Sequence, residues 1–255
     1  MTVLVAIGHS HLASLRSAAR LSPAPFADVR IVALRNPELT PNLVMVGDRP
    51  VLNEAVADAI RRAADGADLA ALMLNGNEHF LFGVAAHPEP YDFIVPGRPE
   101  LPLDETRRLI PANMMWWRIR LAVRLWELIV GAIVESGALE GVPLAVVCPP
   151  PPLDGEHVRS NPRGFSARIA RSGMTPDHVR LKLWLTQASV LETFSASLPA
   201  TFLPPPSRFI GPDGMLAQEA RQEDPTHANP HYGQAVLEQL GALAAARPAT
   251  IPIAG

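Results

Sequence analysis

Cysteine is nearly absent from this chain, with Cys148 alone among 255 residues. A single thiol excludes an internal disulfide and any metal site built from several cysteines, and it fits a reducing compartment. Aromatic residues are sparse at 5%, and charged residues stop at 18%. There is no positive excess: 22 Lys and Arg stand against 25 Asp and Glu, for a net charge of −3. A nucleic-acid partner would call for a basic surface, so none is expected. Long apolar runs are lacking too. The best, Leu121 to Val134, is broken by Arg124 and Glu127, and no membrane span is expected. The first apolar run has no basic segment before it and ends early, at Gly8-His9. It reads as a strand rather than a leader, and a cytoplasmic protein is expected.

Apolar residues and proline are plentiful. Hydrophobic residues make up 48% of the chain, enough for a sizeable core, and 27 prolines cluster in candidate loops such as Pro149 to Pro152 and Pro204 to Pro206. Such clusters suit stiff loop edges rather than a disordered tail. Short apolar runs read as buried strands at Val3 to Ile7, Val29 to Leu34, Leu43 to Val46, Leu69 to Leu74, Pro143 to Cys148 and Ala200 to Leu203. Helical spacing recurs between them. It marks Leu12 to Leu21, then Leu52-Val56-Ile60-Ala63 with Gly66 as a stop. It marks Met115 through Ile133 closed by Gly137, a helix opened by Thr175-Pro176, and a last helix capped by Asn229-Pro230. Residues 79–112 have no clean period, and 153–173 read as a polar loop rich in Arg and Ser. Strands alternating with helices predict an α/β protein with a mostly parallel central sheet covered on both faces, as one domain over residues 1–255.

The chemistry concentrates at the predicted strand ends, where parallel α/β sheets bind ligands. Ser10 follows the first strand in Gly8-His9-Ser10-His11, Asn77 follows a later one in Asn75-Gly76-Asn77-Glu78, and Asp224-Pro225-Thr226-His227 precedes the last helix. A serine hydroxyl needs a base, the base needs an orienting group, and the developing oxyanion needs aimed donors. Ser10 can attack, His227 can take its proton, and Asp224 can orient the imidazole. Asn77, with the N–H groups of Ser10 and Gly47, can hold the oxyanion. Taken singly, each residue has a plain structural role: Ser10 as a helix cap, Asn77 and Asp224 as turn formers, His227 as a surface histidine.

These blocks resemble those of the SGNH hydrolases, also called GDSL-like lipases and esterases. Gly8-His9-Ser10 stands where that family has Gly-Asp-Ser, Gly47 for its second-block glycine, Asn75-Gly76-Asn77-Glu78 for Gly-x-Asn-Asp, and Asp224-Pro225-Thr226-His227 for Asp-x-x-His. They occur in family order and span nearly the whole chain. The resemblance implies a flavodoxin-like three-layer sandwich and a triad of Ser10, His227 and Asp224. It also implies an oxyanion hole of Ser10, Gly47 and Asn77, and no cofactor. Its reaction is hydrolysis of a small O-acyl ester, of acetyl type, with an acylated sugar as one candidate substrate. O-acyl transfer on the same scaffold and a non-catalytic binding module remain alternatives. His9 and His11 also admit a metal-dependent reading, although no metal is assigned. His9, His11, Glu78, His79 and Trp116 are candidates for the substrate pocket.

Overall fold

A computed structural model describes residues 2–73 and 77–246. In chain order the elements are β1 (Val3–Gly8), α1 (Leu12–Leu21), β2 (Asp28–Ala33), β3 (Leu43–Val46), β4 (Arg49–Leu52), α2 (Glu54–Ala64), β5 (Leu69–Met73), α3 (Glu78–Gly83), β6 (Tyr91–Asp92), β7 (Arg108–Leu109), α4 (Ala112–Glu135), β8 (Leu144–Val147), α5 (Gly155–Ser160), α6 (Ser166–Ser172), α7 (Asp177–Ala196), β9 (Ala200–Leu203) and α8 (Pro230–Ala245). Five strands form the central sheet in the order β2-β1-β5-β8-β9, every pair parallel.

The inner strands β1, β5 and β8 are buried on both faces, which is why they read as continuous apolar runs rather than alternating ones. Leu4 and Ala6 of β1 pack toward α1 and α8, and Val5 and Ile7 pack toward α2 and α4. The order reverses between β1 and β5, the neighbours that chain connectivity sends in opposite directions. Such a switch point opens a crevice outside the strand ends. The chain leaves β1 through Gly8, where an added Cβ would lie 2.2 Å from the Met73 carbonyl oxygen of β5. Only glycine allows the two strands to approach this closely.

Three sequence expectations change. Leu43 to Val46 is no core strand; it pairs antiparallel with β4 in a separate two-stranded hairpin. The turn residues Gly47-Asp48 explain this, since a Gly at φ 61° is what a two-residue hairpin turn selects. Residues 153–173 are not a plain loop: they fold into α5, a short 3-10 turn and α6. Asp154 caps α5 by accepting from the His157 N–H at 2.8 Å, a signal the dense polar composition hid. Thr175 does not cap α7, because its hydroxyl donates to the Ala85 carbonyl at 3.1 Å and ties the 84–91 segment down instead. That irregular region has a second anchor. Buried Asp92 accepts from the Lys182 ammonium at 2.7 Å and from the N–H groups of Phe93 and Asp104. Among the described residues, no helix is long and apolar enough to cross a membrane.

Candidate functional site

Ser10 lies in the turn between β1 and α1, at the C-terminal edge of the sheet beside the switch point. Its carbonyl accepts from the Ala13 N–H in the first turn of α1, at 3.0 Å. Its own N–H has no backbone acceptor among the described residues, as expected at a helix start. The other side of the crevice comes from β5, whose following segment delivers Asn77 to the start of α3. Asn75 and Gly76 lie outside the described residues.

His227 and Asp224 occupy the loop before α8, and their local geometry is tight. Asp224 Oδ2 accepts from His227 Nδ1 at 2.8 Å. Its Oδ1 accepts from the N–H groups of His227 at 2.7 Å and Thr226 at 2.8 Å. Burial alone would raise the Asp224 carboxyl, but the His227 ring and these N–H groups outweigh it and bring the pKa down to about 2. The loop is itself held from α5 and the turn after it. His157 Nε2 lies 2.9 Å from the Gln222 carbonyl oxygen, and the Arg163 guanidinium donates to the Glu223 carbonyl at 3.1 and 2.6 Å. Arg163 adopts φ 43°, a left-handed conformation that non-glycine residues take at a cost.

Packing of α1 on α8 brings the two halves together. An added Cβ on Gly233 of α8 would lie 2.3 Å from the Ser14 carbonyl oxygen of α1, so these helices touch backbone to backbone. At the top of this contact the His11 and His227 rings sit 5.0 Å apart. His227 Nε2 is buried without a hydrogen-bond partner among the described residues, so the Ser10 hydroxyl does not close a bond to it here. Such bonds often tighten only when substrate is bound.

His11 Nε2 lies 3.3 Å from Asn77 Oδ1. A carbonyl oxygen only accepts, so Nε2 carries the hydrogen. The bond engages the Oδ1 end of the Asn77 amide and leaves its NH₂ end free of His11. Burial, together with the nearby His227, lowers the His11 pKa to about 3, so this ring is neutral at neutral pH. His9 points elsewhere. Its ring stands edge-on to Trp126 at 4.3 Å, and burial and the charge of Arg35 bring its pKa to about 4. The two histidines therefore diverge rather than converge on one centre. Among the described residues no cluster of three or more His, Cys, Asp or Glu side chains could hold a metal ion.

Two sequence-derived candidates, Gly47 and Trp116, fall away from the crevice, and a third, His79, is near enough to lower the His11 pKa but is committed to the core. Gly47 is at the exposed tip of the β3–β4 hairpin. Adjacent Arg49 pairs with Glu135 at the far end of α4, beside the entry to β8, so the tip reaches the opposite edge of the sheet from Ser10. His79 is buried and bound through its N–H and Nδ1 to Gln187 Oε1, at 2.8 and 3.2 Å, and serves to fix α3 on α7. Trp116 is nearly three turns along α4 from the indole that meets His9, and it packs edge-on to Trp117 at 5.3 Å. Glu78 stays near the site but is engaged, accepting from Trp126 Nε1 at 2.6 Å.

Two neighbours of the site were missed in the sequence. Trp126 reads there as one more apolar position of a long helix, and nothing separates it from Ile129 or Ile133. Arg35 follows β2 directly after Leu34, whose N–H bonds the Gly8 carbonyl at 2.8 Å. The Arg35 N–H has no backbone acceptor among the described residues. The apolar run Val29 to Leu34 marks this strand end in the sequence, but an arginine there carries no sign that its N–H faces the site.

No protein-family model matches the chain, and no curated protein matches it. Solved structures do. A Streptococcus pneumonia protein, provisionally named a platelet activating factor, is 12% identical over 94% of this chain and 83% of its own, with a TM-score of 0.50. A Bacteroides thetaiotaomicron GDSL-like lipase is 8% identical over 96% of this chain and 88% of its own, with a TM-score of 0.48. A Sinorhizobium meliloti carbohydrate acetylesterase is 12% identical over 96% of this chain and 99% of its own, with a TM-score of 0.46. The likeness is one of fold: an α/β three-layer sandwich with a parallel five-stranded sheet and flanking helices.

Proposed function

We propose that the protein is a serine hydrolase of SGNH type that cleaves small O-acyl esters, acetyl-type groups on a sugar or similar small metabolite, through an acyl-enzyme. The observation that carries this reading is the Asp224–His227 pair, whose free Nε2 is buried beside the turn that holds Ser10. Asp224 fixes the His227 ring with hydrogen on Nδ1, which leaves Nε2 as the acceptor for the Ser10 proton. Ser10 then attacks the ester carbonyl. The imidazolium formed is stabilised by the Asp224 carboxylate and returns the proton to the leaving alcohol. Water, activated by the same Nε2, clears the acyl group.

The oxyanion is held by the Ser10 N–H and the Asn77 amide, with the Arg35 N–H in place of that of Gly47. His11 is a positioning residue: its bond to Asn77 Oδ1 keeps the NH₂ end of that amide toward the substrate. One such donor is worth about 3–4 kcal/mol in the transition state. The experiment is hydrolysis of a short-chain nitrophenyl ester by the parent and by Ser10→Ala. The proposal expects turnover in the parent and its loss in the variant. Parent-like turnover by a folded Ser10→Ala protein would refute it.

A further inference from the structure

We propose that the hollow between α3, α4 and α6 is a second binding site, which takes an amphiphilic anion: an apolar chain or ring ending in a carboxylate. The site is separate from the crevice, since Ser10, Asn77 and His227 do not line it, and it does not depend on the hydrolytic reading. The cavity has a volume of about 560 Å³, inside the range of roughly 300–1,000 Å³ common for small-molecule sites. Its walls are apolar, with Leu81 and Phe82 from α3, Ile110 just before α4, and Met115 within it.

Two guanidinium groups reach the same hollow from different helices, Arg118 from α4 and Arg168 from α6. Arg118 lies over the Phe82 ring at 5.8 Å, and Arg168 donates to the Leu81 carbonyl at 3.3 Å. Among the described residues neither is ion-paired. A third lining residue, Arg108, is compensated by Glu89 at 2.8 Å. Two uncompensated cations border one apolar hollow, and a carboxylate bound between them would gain two charge-assisted bonds. The apolar walls give the rest of such a ligand its contact area. Met114, which also lines the hollow, and Trp117 beside it stand 57% and 55% exposed, so the apolar lining continues onto the surface.

Isothermal titration of the whole chain with sodium octanoate, octanol and octylammonium, all as monomers, tests the site. Octanoate is expected to saturate one site, octanol to bind at least tenfold more weakly, and octylammonium not to bind. The double variant Arg118→Gln/Arg168→Gln should weaken octanoate roughly tenfold or more while leaving octanol unchanged. Ala86→Trp, which fills the hollow and keeps both arginines, should abolish octanoate binding. The proposal is overturned if the parent does not bind octanoate, if octanol binds equally well, or if the double variant binds as the parent does. Binding seen only with vesicles of anionic phospholipid, and never with monomeric octanoate, overturns it in favour of a membrane-facing surface.

Discussion

Asp224→Asn separates the catalytic claim from the structural one, because the two roles of this side chain rest on different bonds. Its Oδ1 caps the turn by accepting from the N–H groups of Thr226 and His227, and an asparagine oxygen can keep both. Its Oδ2 accepts from His227 Nδ1 at 2.8 Å, and there the variant presents an NH₂ donor instead. A donor in that place requires Nδ1 to accept, which puts the ring hydrogen on Nε2. The ring then meets Ser10 with an N–H and cannot act as its base. The loss in kcat expected from a wrong tautomer is about 10⁴-fold, or about 5 kcal/mol. The stability cost is smaller. The Asp224 carboxyl is 13% exposed, and its pKa falls from 3.8 to about 2. That difference is worth about 2 kcal/mol at neutral pH. Steady-state hydrolysis of a nitrophenyl ester, paired with urea denaturation, measures both. A folded Asp224→Asn protein within tenfold of the parent kcat would refute the reasoning.

Further predictions concern stability and packing. Burial lowers the pKa of His9, His11 and His79 from 6.5 to about 4, about 3 and about 4. Each stays neutral when folded and takes a proton when unfolded, so stability is full above about pH 6.5 and falls as the pH drops. By pH 4 the loss is about 3 kcal/mol per histidine, comparable in sum to a whole domain's stability of ~5–15 kcal/mol. Thermal melts should show unfolding near pH 4, before Asp224 titrates; a Tm unchanged from pH 7 to 4 would contradict this. Gly233→Ala should cost roughly 1–3 kcal/mol in denaturant and lower kcat, since the new methyl meets the Ser14 backbone and parts α1 from α8. Parent-like stability and kcat would count against the α1–α8 contact as the device that sets His227 beside Ser10.

The sheet was legible because its inner strands are buried on both faces. Val3 to Ile7 and Leu69 to Met73 are continuous apolar runs, and no register choice was needed to recognise them. Asn229-Pro230 marked the start of α8 through an ordinary cap, with Asn229 accepting from the His231 N–H at 2.9 Å. Short-range motifs carried the Asp224–His227 pair for the same reason: three residues and one turn set its geometry. What stayed hidden depends on distant pairing. Leu43 to Val46 has a strand's composition, but only its hairpin partner β4 decides that it leaves the central sheet. Gly47 has the residue type of an oxyanion glycine, whereas the β1–β2 register puts Leu34 and Arg35 at the edge that holds Ser10. Trp126 and Trp116 sit on one helix with similar neighbours, and only the packing of α4 against His9 tells them apart.

A Ser10 activated by His227 must react with an electrophile that mimics the acyl group. Intact-mass measurement after exposure to a serine-directed fluorophosphonate tests it most directly. One adduct per chain is expected, mapped to Ser10, absent in Ser10→Ala and greatly slowed in His227→Gln. An adduct elsewhere, or no adduct on a folded parent that still hydrolyses esters, would contradict it.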